Sequence, residues 1–140
     1  MRVLVVDDEP DVLLLCRVNF EFAGHEVLQT DNADAALDMA SSEQPDLIVL
    51  DVMLPNRDGL SILEQLSEQP QTRDVPVVLL TAKTQEQDRL KGYQAGAAEY
   101  ITKPFSPISL TEAIEAIHSM TPEERGRRRD VALSNLRDRG

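Results

Sequence analysis

Cysteine is almost missing from this sequence: Cys16 is the only one in 140 residues. That excludes a disulfide framework and a cysteine-based metal centre. Long hydrophobic runs are missing too. The longest, Val3 to Val6 and Val12 to Cys16, fall far short of the ~20 residues a membrane helix needs. The N-terminus reaches Asp7 too soon for a secretory signal. The simplest expectation is a cytoplasmic protein with no membrane insertion. There are no internal repeats and no low-complexity stretch. Basic charge is scarce, with 14 Lys and Arg against 25 Asp and Glu and a net charge of −11. Residues 1–120 carry 21 acids and 8 Lys or Arg. Such a body repels nucleic acid. Residues 121–140 reverse the balance with 4 acids and 6 Arg, so they form a separate compositional class.

What is present suits one globular domain. Hydrophobic residues make up 41%, enough for a single core. Short β-branched runs predict strands near 2–6, 26–30, 46–50, 76–80 and 98–102. Runs such as Leu47-Ile48-Val49-Leu50 and Val77-Val78-Leu79-Leu80 are apolar at every position, as strands buried on both faces must be. Helix signals fill the gaps. Pro10 opens a first helix and Gly24 follows it. Asn32 caps a second over Ala33 to Ser41, with Ala36, Leu37 and Ala40 inward. A third is expected near 60–68, and a fourth runs from Thr84 or a neighbour to Gly96. Ser106-Pro107 opens a fifth, with Leu110, Ile114 and Ile117 on one stripe. The pattern is (βα)5, an α/β fold with a doubly wound, five-stranded parallel sheet and helices on both faces. Beyond it, Thr121-Pro122-Glu123-Glu124 carries a capping-box signature, so the Arg-rich tail 121–140 is expected to be helical or a linker. Its apolar residues are few (Val131, Leu133, Leu136), and Gly126 weakens it.

Such sheets place function at the carboxyl ends of their strands. Asp7, Asp8 and Glu9 follow the first strand, Asp51 the third, Thr81 the fourth, and Lys103-Pro104 the fifth. Each has an ordinary reading. Asp8 or Glu9 could cap the first helix, Asp51 could be a turn residue, Thr81 could cap the fourth helix, and Lys103 could be a solvated lysine. Together they converge on one sheet edge. Clustered carboxylates repel and call for a hard cation, for which Mg2+ is the natural choice. An adjacent lysine then suits a ligand with further negative charge, such as a phosphoryl group.

Val5-Val6-Asp7-Asp8-Glu9, Leu50-Asp51-Val52-Met53-Leu54-Pro55, Asp58-Gly59, Leu80-Thr81-Ala82 and Tyr100-Ile101-Thr102-Lys103-Pro104-Phe105 together resemble a bacterial response-regulator receiver domain. The resemblance covers about residues 1–120. It implies the flavodoxin-like strand order 2-1-3-4-5. It also implies that Asp51 accepts a phosphoryl group from a histidine kinase or phosphotransfer protein. In the implied Mg2+ site, Asp8 and Asp51 are ligands with the Met53 carbonyl, and Asp7 acts through water. Lys103 and Mg2+ offset the charge on the phosphoryl group. Thr81 and Tyr100 form the implied switch. Thr81 bonds a phosphoryl oxygen, Tyr100 turns inward, and the face made by helix 4, strand 5 and helix 5 changes, sometimes to form a homodimer. Taken alone, Tyr100 reads as an edge tyrosine packed on helix 4.

Met53 and Lys83 are expected to tune phosphoryl lifetime, with Met53 restricting the hydrolytic water. Cys16 reads as a packed side chain of the first helix rather than a reactive thiol. His25 and His118 lack metal-ligand spacing, and His118 reads as surface. Two alternatives remain at this stage. A haloacid-dehalogenase-type phosphatase would need a second acidic residue two positions after its nucleophile, but Met53 follows Asp51 and Glu9 follows Asp7. A degenerate receiver would act only as a binding module, although the expected site residues are all present. The downstream target is not readable, and the tail is open to DNA, an anionic lipid surface, an acidic partner or plain solvation, with the acidic body arguing against DNA as a main partner.

Overall fold

Which helices cover which face of the sheet follows from the alternation of side chains along its strands. The computed structural model describes residues 1–55 and 57–139. Gly140, the end of the expected tail, lies outside them. Five parallel strands form the sheet: β1 (Arg2–Val6), β2 (Glu26–Thr30), β3 (Leu47–Leu50), β4 (Val77–Thr81) and β5 (Glu99–Thr102). Their order is β2-β1-β3-β4-β5, as the resemblance implies. Helices α1 (Pro10–Phe22), α2 (Ala33–Ser42), α3 (Gly59–Glu68), α4 (Glu86–Gln94) and α5 (Pro107–Ser119) link or follow the strands, and α6 (Pro122–Arg139) completes the described chain.

Val3, Val5, Val49, Val78 and Leu80 face one side, where they meet Val12, Cys16 and Phe20 of α1 and Leu110, Ile114 and Ile117 of α5. Leu4, Val6, Ile48, Leu50 and Leu79 face the other, against α2, α3 and α4. Fully buried residues such as Leu4, Ile48 and Ile114 each contribute about 2 kcal/mol by leaving water. Cys16 is buried among them, and burial pushes its thiol up to about 12. It is a packing residue, as expected.

The helix starts follow their caps. Asn32 Oδ1 accepts from Ala35 N at 3.0 Å and Ser106 Oγ from Ser109 N at 3.2 Å. Asp58, which the sequence reading did not single out as a cap, accepts from Leu60 N at 3.0 Å. Three boundaries shift. Asp46 is outside β3 because its carboxylate binds Arg2 N at 2.7 Å. Thr81 is the last residue of β4, paired in register with Thr102, rather than a residue beyond the strand. Gln85, the neighbour of Thr84, precedes α4 without a side-chain cap bond, and the helix ends at Gln94, short of Gly96.

The tail is helical, and it is docked. Thr121 and Glu124 form the expected reciprocal capping box: Glu124 N to Thr121 Oγ1 at 3.1 Å, and Thr121 N to Glu124 Oε1 at 3.2 Å. Ala132, Leu133 and Leu136 pack against the α2–α4 side of the core, while Val131 is left 60% exposed. Arg128 pairs with Glu99, which also accepts from Tyr93 Oη at 2.8 Å and so joins α6 to both β5 and α4. Among the described residues no helix is long and apolar enough to cross a membrane.

Candidate functional site

Parallel pairing aligns the strand ends. Val6 lies opposite Leu50, and each strand then runs one residue further into an aspartate. The backbone fixes both. Asp51 N donates to Val6 O at 2.9 Å and Asp7 N to Thr30 O at 3.2 Å. Lys103 N donates to Thr81 O at 2.8 Å, which carries the lysine to the same edge; the Lys103–Pro104 bond that follows it is cis.

Lys103 Nζ sits 2.8 Å from Asp7 Oδ2, 3.0 Å from Asp51 Oδ2 and 3.1 Å from Glu9 Oε2. Asp7 and Asp51 are 1% and 3% exposed, so these charges meet with little water between them. The remaining oxygens take backbone donors. Glu9 N donates to Asp7 Oδ1 and Met53 N to Asp51 Oδ1, both at 2.9 Å. Burial raises the Asp7 carboxyl above its ordinary range. Lys103 and the Glu9 amide pull it back, and the Asp51 charge raises it further. Repulsion among the acids is therefore the smaller cause; the larger one is desolvation. For Lys103, burial alone would lower the ammonium, but its close contacts with the carboxylates of Asp7, Asp51 and Glu9 outweigh that and hold it above the ordinary lysine range.

One oxygen each from Asp7, Asp8 and Asp51 lies within 4.8 Å of the others. This set fits a hard divalent cation. All donors are carboxylate oxygens, Asp8 is open to solvent for coordinated waters, and buried Asp7 Oδ2 meets Lys103 as a charge contact without an aligned hydrogen bond. Met53 lies at the rim with its side chain 51% exposed.

Gly59 explains how closely α3 approaches the site. A Cβ there would stand 2.5 Å from the Asp51 carbonyl oxygen and 2.6 Å from Val52 Cα, both backbone atoms that cannot step aside. Gly59→Ala is expected to cost about 2 kcal/mol through this overlap and to disturb Asp51. Urea denaturation would check it. A variant as stable as the parent would show that the α3 start is free to move.

Thr81 is fully buried, and its Oγ1 accepts from Lys83 N at 3.3 Å. Tyr100 lies inward, 4% exposed, and donates from Oη to the Lys83 carbonyl at 2.8 Å. The backbone of Lys83 is thus held through its amide by one and through its carbonyl by the other. Burial pushes the Tyr100 hydroxyl up to about 12, so it remains a donor at neutral pH. The Tyr100 ring fits because position 92 is glycine: a Cβ there would meet Tyr100 Cδ2 at 2.9 Å and Leu79 Cδ1 at 2.8 Å. Arg89 lies over the same ring, 5.5 Å from its centre.

The structure brings together Asp7, Asp8, Asp51 and Lys103, and separately Thr81 and Tyr100 through Lys83. Sequence reasoning missed the third partner of Lys103. In the sequence Glu9 reads as a possible helix cap, and its place directly after Asp7-Asp8 is the available signal. It also treated Lys83 as a side-chain cation, whereas the backbone of Lys83 makes the contacts.

Fold and site define an α/β domain of flavodoxin-like topology with an acidic, lysine-bearing site at the carboxyl edge of its sheet. The response-regulator receiver-domain family matches residues 3–115, and the chain belongs to it. It is the receiver type of two-component signalling proteins, which sets aside the haloacid-dehalogenase alternative. The chain is 43% identical over 116 residues to the alkaline phosphatase synthesis transcriptional regulatory protein PhoP of Bacillus subtilis, covering 83% of this chain and 48% of that protein. It is 40% identical over 116 residues to the phosphate regulon transcriptional regulatory protein PhoB of Escherichia coli, covering 83% and 51%. The chain therefore spans about half the length of these relatives. The BeF3-activated N-terminal receiver domain of Klebsiella pneumoniae RstA superposes with a TM-score of 0.78 at 28% identity, covering 86% of this chain and all of that one.

Proposed function

We propose that Asp51 is the phosphoacceptor of this receiver, that Mg2+ binds at Asp8 and Asp51 with the Met53 carbonyl and with Asp7 acting through water, and that Lys103 is the fixed counter-charge. The observation that carries this reading is the placement of Asp51 Oδ2, 3.0 Å from Lys103 Nζ and within the carboxylate cluster. An Asp51 oxygen attacks phosphorus, and the phosphorus–nitrogen bond to a donor imidazole breaks. The imidazole nitrogen keeps the electron pair and takes a proton. Lys103, already oriented by Asp7 and Glu9, faces the incoming phosphoryl oxygens without rearrangement. Mg2+, when bound, would neutralise charge on the same oxygens.

The donor fits a histidine kinase or phosphotransfer protein. Leu14, Val18 and Phe22 make an apolar row on α1, 60%, 57% and 95% exposed, on the helix that begins directly after Glu9. For the switch, Thr81 Oγ1 accepts from the Lys83 amide, which leaves its own proton available to donate to a phosphoryl oxygen. Tyr100 holds the carbonyl of that same residue, so a shift of the Lys83 backbone would move both contacts. A homodimer through α4, β5 and α5 would have to accommodate or displace α6, which packs on α4.

The reading is tested by incubating the chain with acetyl phosphate and Mg2+ and measuring intact mass, followed by borohydride trapping and peptide mapping. One phosphoryl adduct located at Asp51 is expected. No adduct, or an adduct on another residue, would overturn the proposal and favour the binding-module alternative.

A further inference from the structure

Against the acid excess of the whole chain, one groove is lined by arginines that have not found a carboxylate. It holds about 440 Å3 and lies where the inner edge of α6 crosses the end of α4 and the loop before β4. Arg129 and Arg137 line it from α6, Arg73 from the opposite wall, with Gly96, Tyr93 and Leu133 between them. A neighbouring groove of about 200 Å3 shares Arg73, Gly96 and Arg129. Two other tail arginines are engaged. Arg128 binds Glu99, and Arg125 donates to the carbonyls of Ile117, Met120 and Asp74. Among the described residues, Arg73, Arg129 and Arg137 have neither a carboxylate nor a carbonyl partner. Arg129 is half-buried, so it gives up hydration with nothing in return. A C-terminal helix end can attract arginines through its free carbonyls, but no hydrogen bond from Arg129 to the end of α4 is formed.

We infer that this groove binds a phosphate-bearing small anion of the oligophosphate class, free or carried by a nucleoside. Its volume lies in the small-molecule range. Guanidinium forks match phosphoryl oxygens in pairs. Arg129 and Arg137 are eight residues apart, about 12 Å along the helix, with Arg73 across from them. That spread suits several phosphoryl groups in line better than one orthophosphate. The ligand would bridge α6 to the body of the domain. The inference does not depend on Asp51.

The test is isothermal titration of the full chain, without Mg2+, with inorganic tripolyphosphate and in parallel with ATP. Arg73→Ala and Arg129→Ala are compared with Arg127→Ala, an exposed tail arginine outside the groove, and with Asp51→Asn. Circular dichroism confirms that each variant folds. Saturable binding, weakened at least tenfold by either groove variant and unchanged in Arg127→Ala and Asp51→Asn, is expected. ATP binding more tightly than tripolyphosphate would identify a nucleotide, and the reverse order a free oligophosphate. No saturable binding at millimolar ligand, or equal weakening in all the arginine variants, would overturn the inference. Loss confined to Asp51→Asn would move the anion to the acidic site and overturn it too.

Discussion

Asp51→Asn is expected to abolish phosphoryl acceptance and, in the metal-free protein at neutral pH, to raise rather than lower stability. The first effect follows from removing the attacking carboxylate while keeping its shape, since asparagine can still accept from Met53 N as Asp51 Oδ1 does at 2.9 Å. The second follows from the charges. Asp51 is one of the causes that push the Asp7 carboxyl up, and its charge is buried beside that of Asp7. Removing it relieves Asp7, while Lys103 keeps Asp7 and Glu9 as partners. The gain is small, because the carboxylate removed is also a partner of Lys103. Urea denaturation with and without Mg2+ reads it. The variant should be more stable than the parent in chelator and should gain less from Mg2+. A variant less stable than the parent in chelator would mean that the Asp51–Lys103 pair outweighs the repulsion.

Much of this was legible in the residues. Val3 to Val6, Leu47 to Leu50 and Val77 to Leu80 announce strands buried on both faces, and the groups after them announce a site at the carboxyl edge. Asn32, Ser106 and Thr121 cap the helices they were expected to cap. What was less legible is tertiary. The strand order came with the family resemblance, because local pattern says nothing about which strands are neighbours. The docking of α6 depends on Arg128 meeting Glu99 twenty-nine residues away, a pairing that no local pattern marks. The close approach of Gly59 to the Asp51 backbone becomes a requirement only when α3 and β3 are placed together. The grip on Lys83 passes through its backbone, which has the same atoms whatever the side chain.

Lys103→Met should produce a large loss of stability, and one that depends on pH with a definite sign. Methionine keeps the length of the stem but leaves Asp7 and Asp51 buried with no cation, and breaking a buried pair from one side costs about 3–5 kcal/mol. The pH dependence follows from Asp7. Its folded pKa is already above the ordinary value of 3.8, because burial outweighs the lowering by Lys103. A group shifted upward binds its proton more tightly in the folded state. Its favourable contribution is complete below the unfolded value and is lost as pH rises through the folded one. Without Lys103 the folded value moves higher still, so that window widens upward. The deficit relative to the parent should be greatest near neutral pH and shrink as pH falls, when the carboxyls protonate and no longer need the ammonium. Urea denaturation across a pH series would measure it, and a deficit constant with pH would show that lost packing, not charge, is the cause. Mg2+ supplies the same evidence from the other side. With the competing ammonium gone, the cation should stabilise Lys103→Met more than the parent, although the variant lacks the counter-charge proposed for phosphoryl transfer.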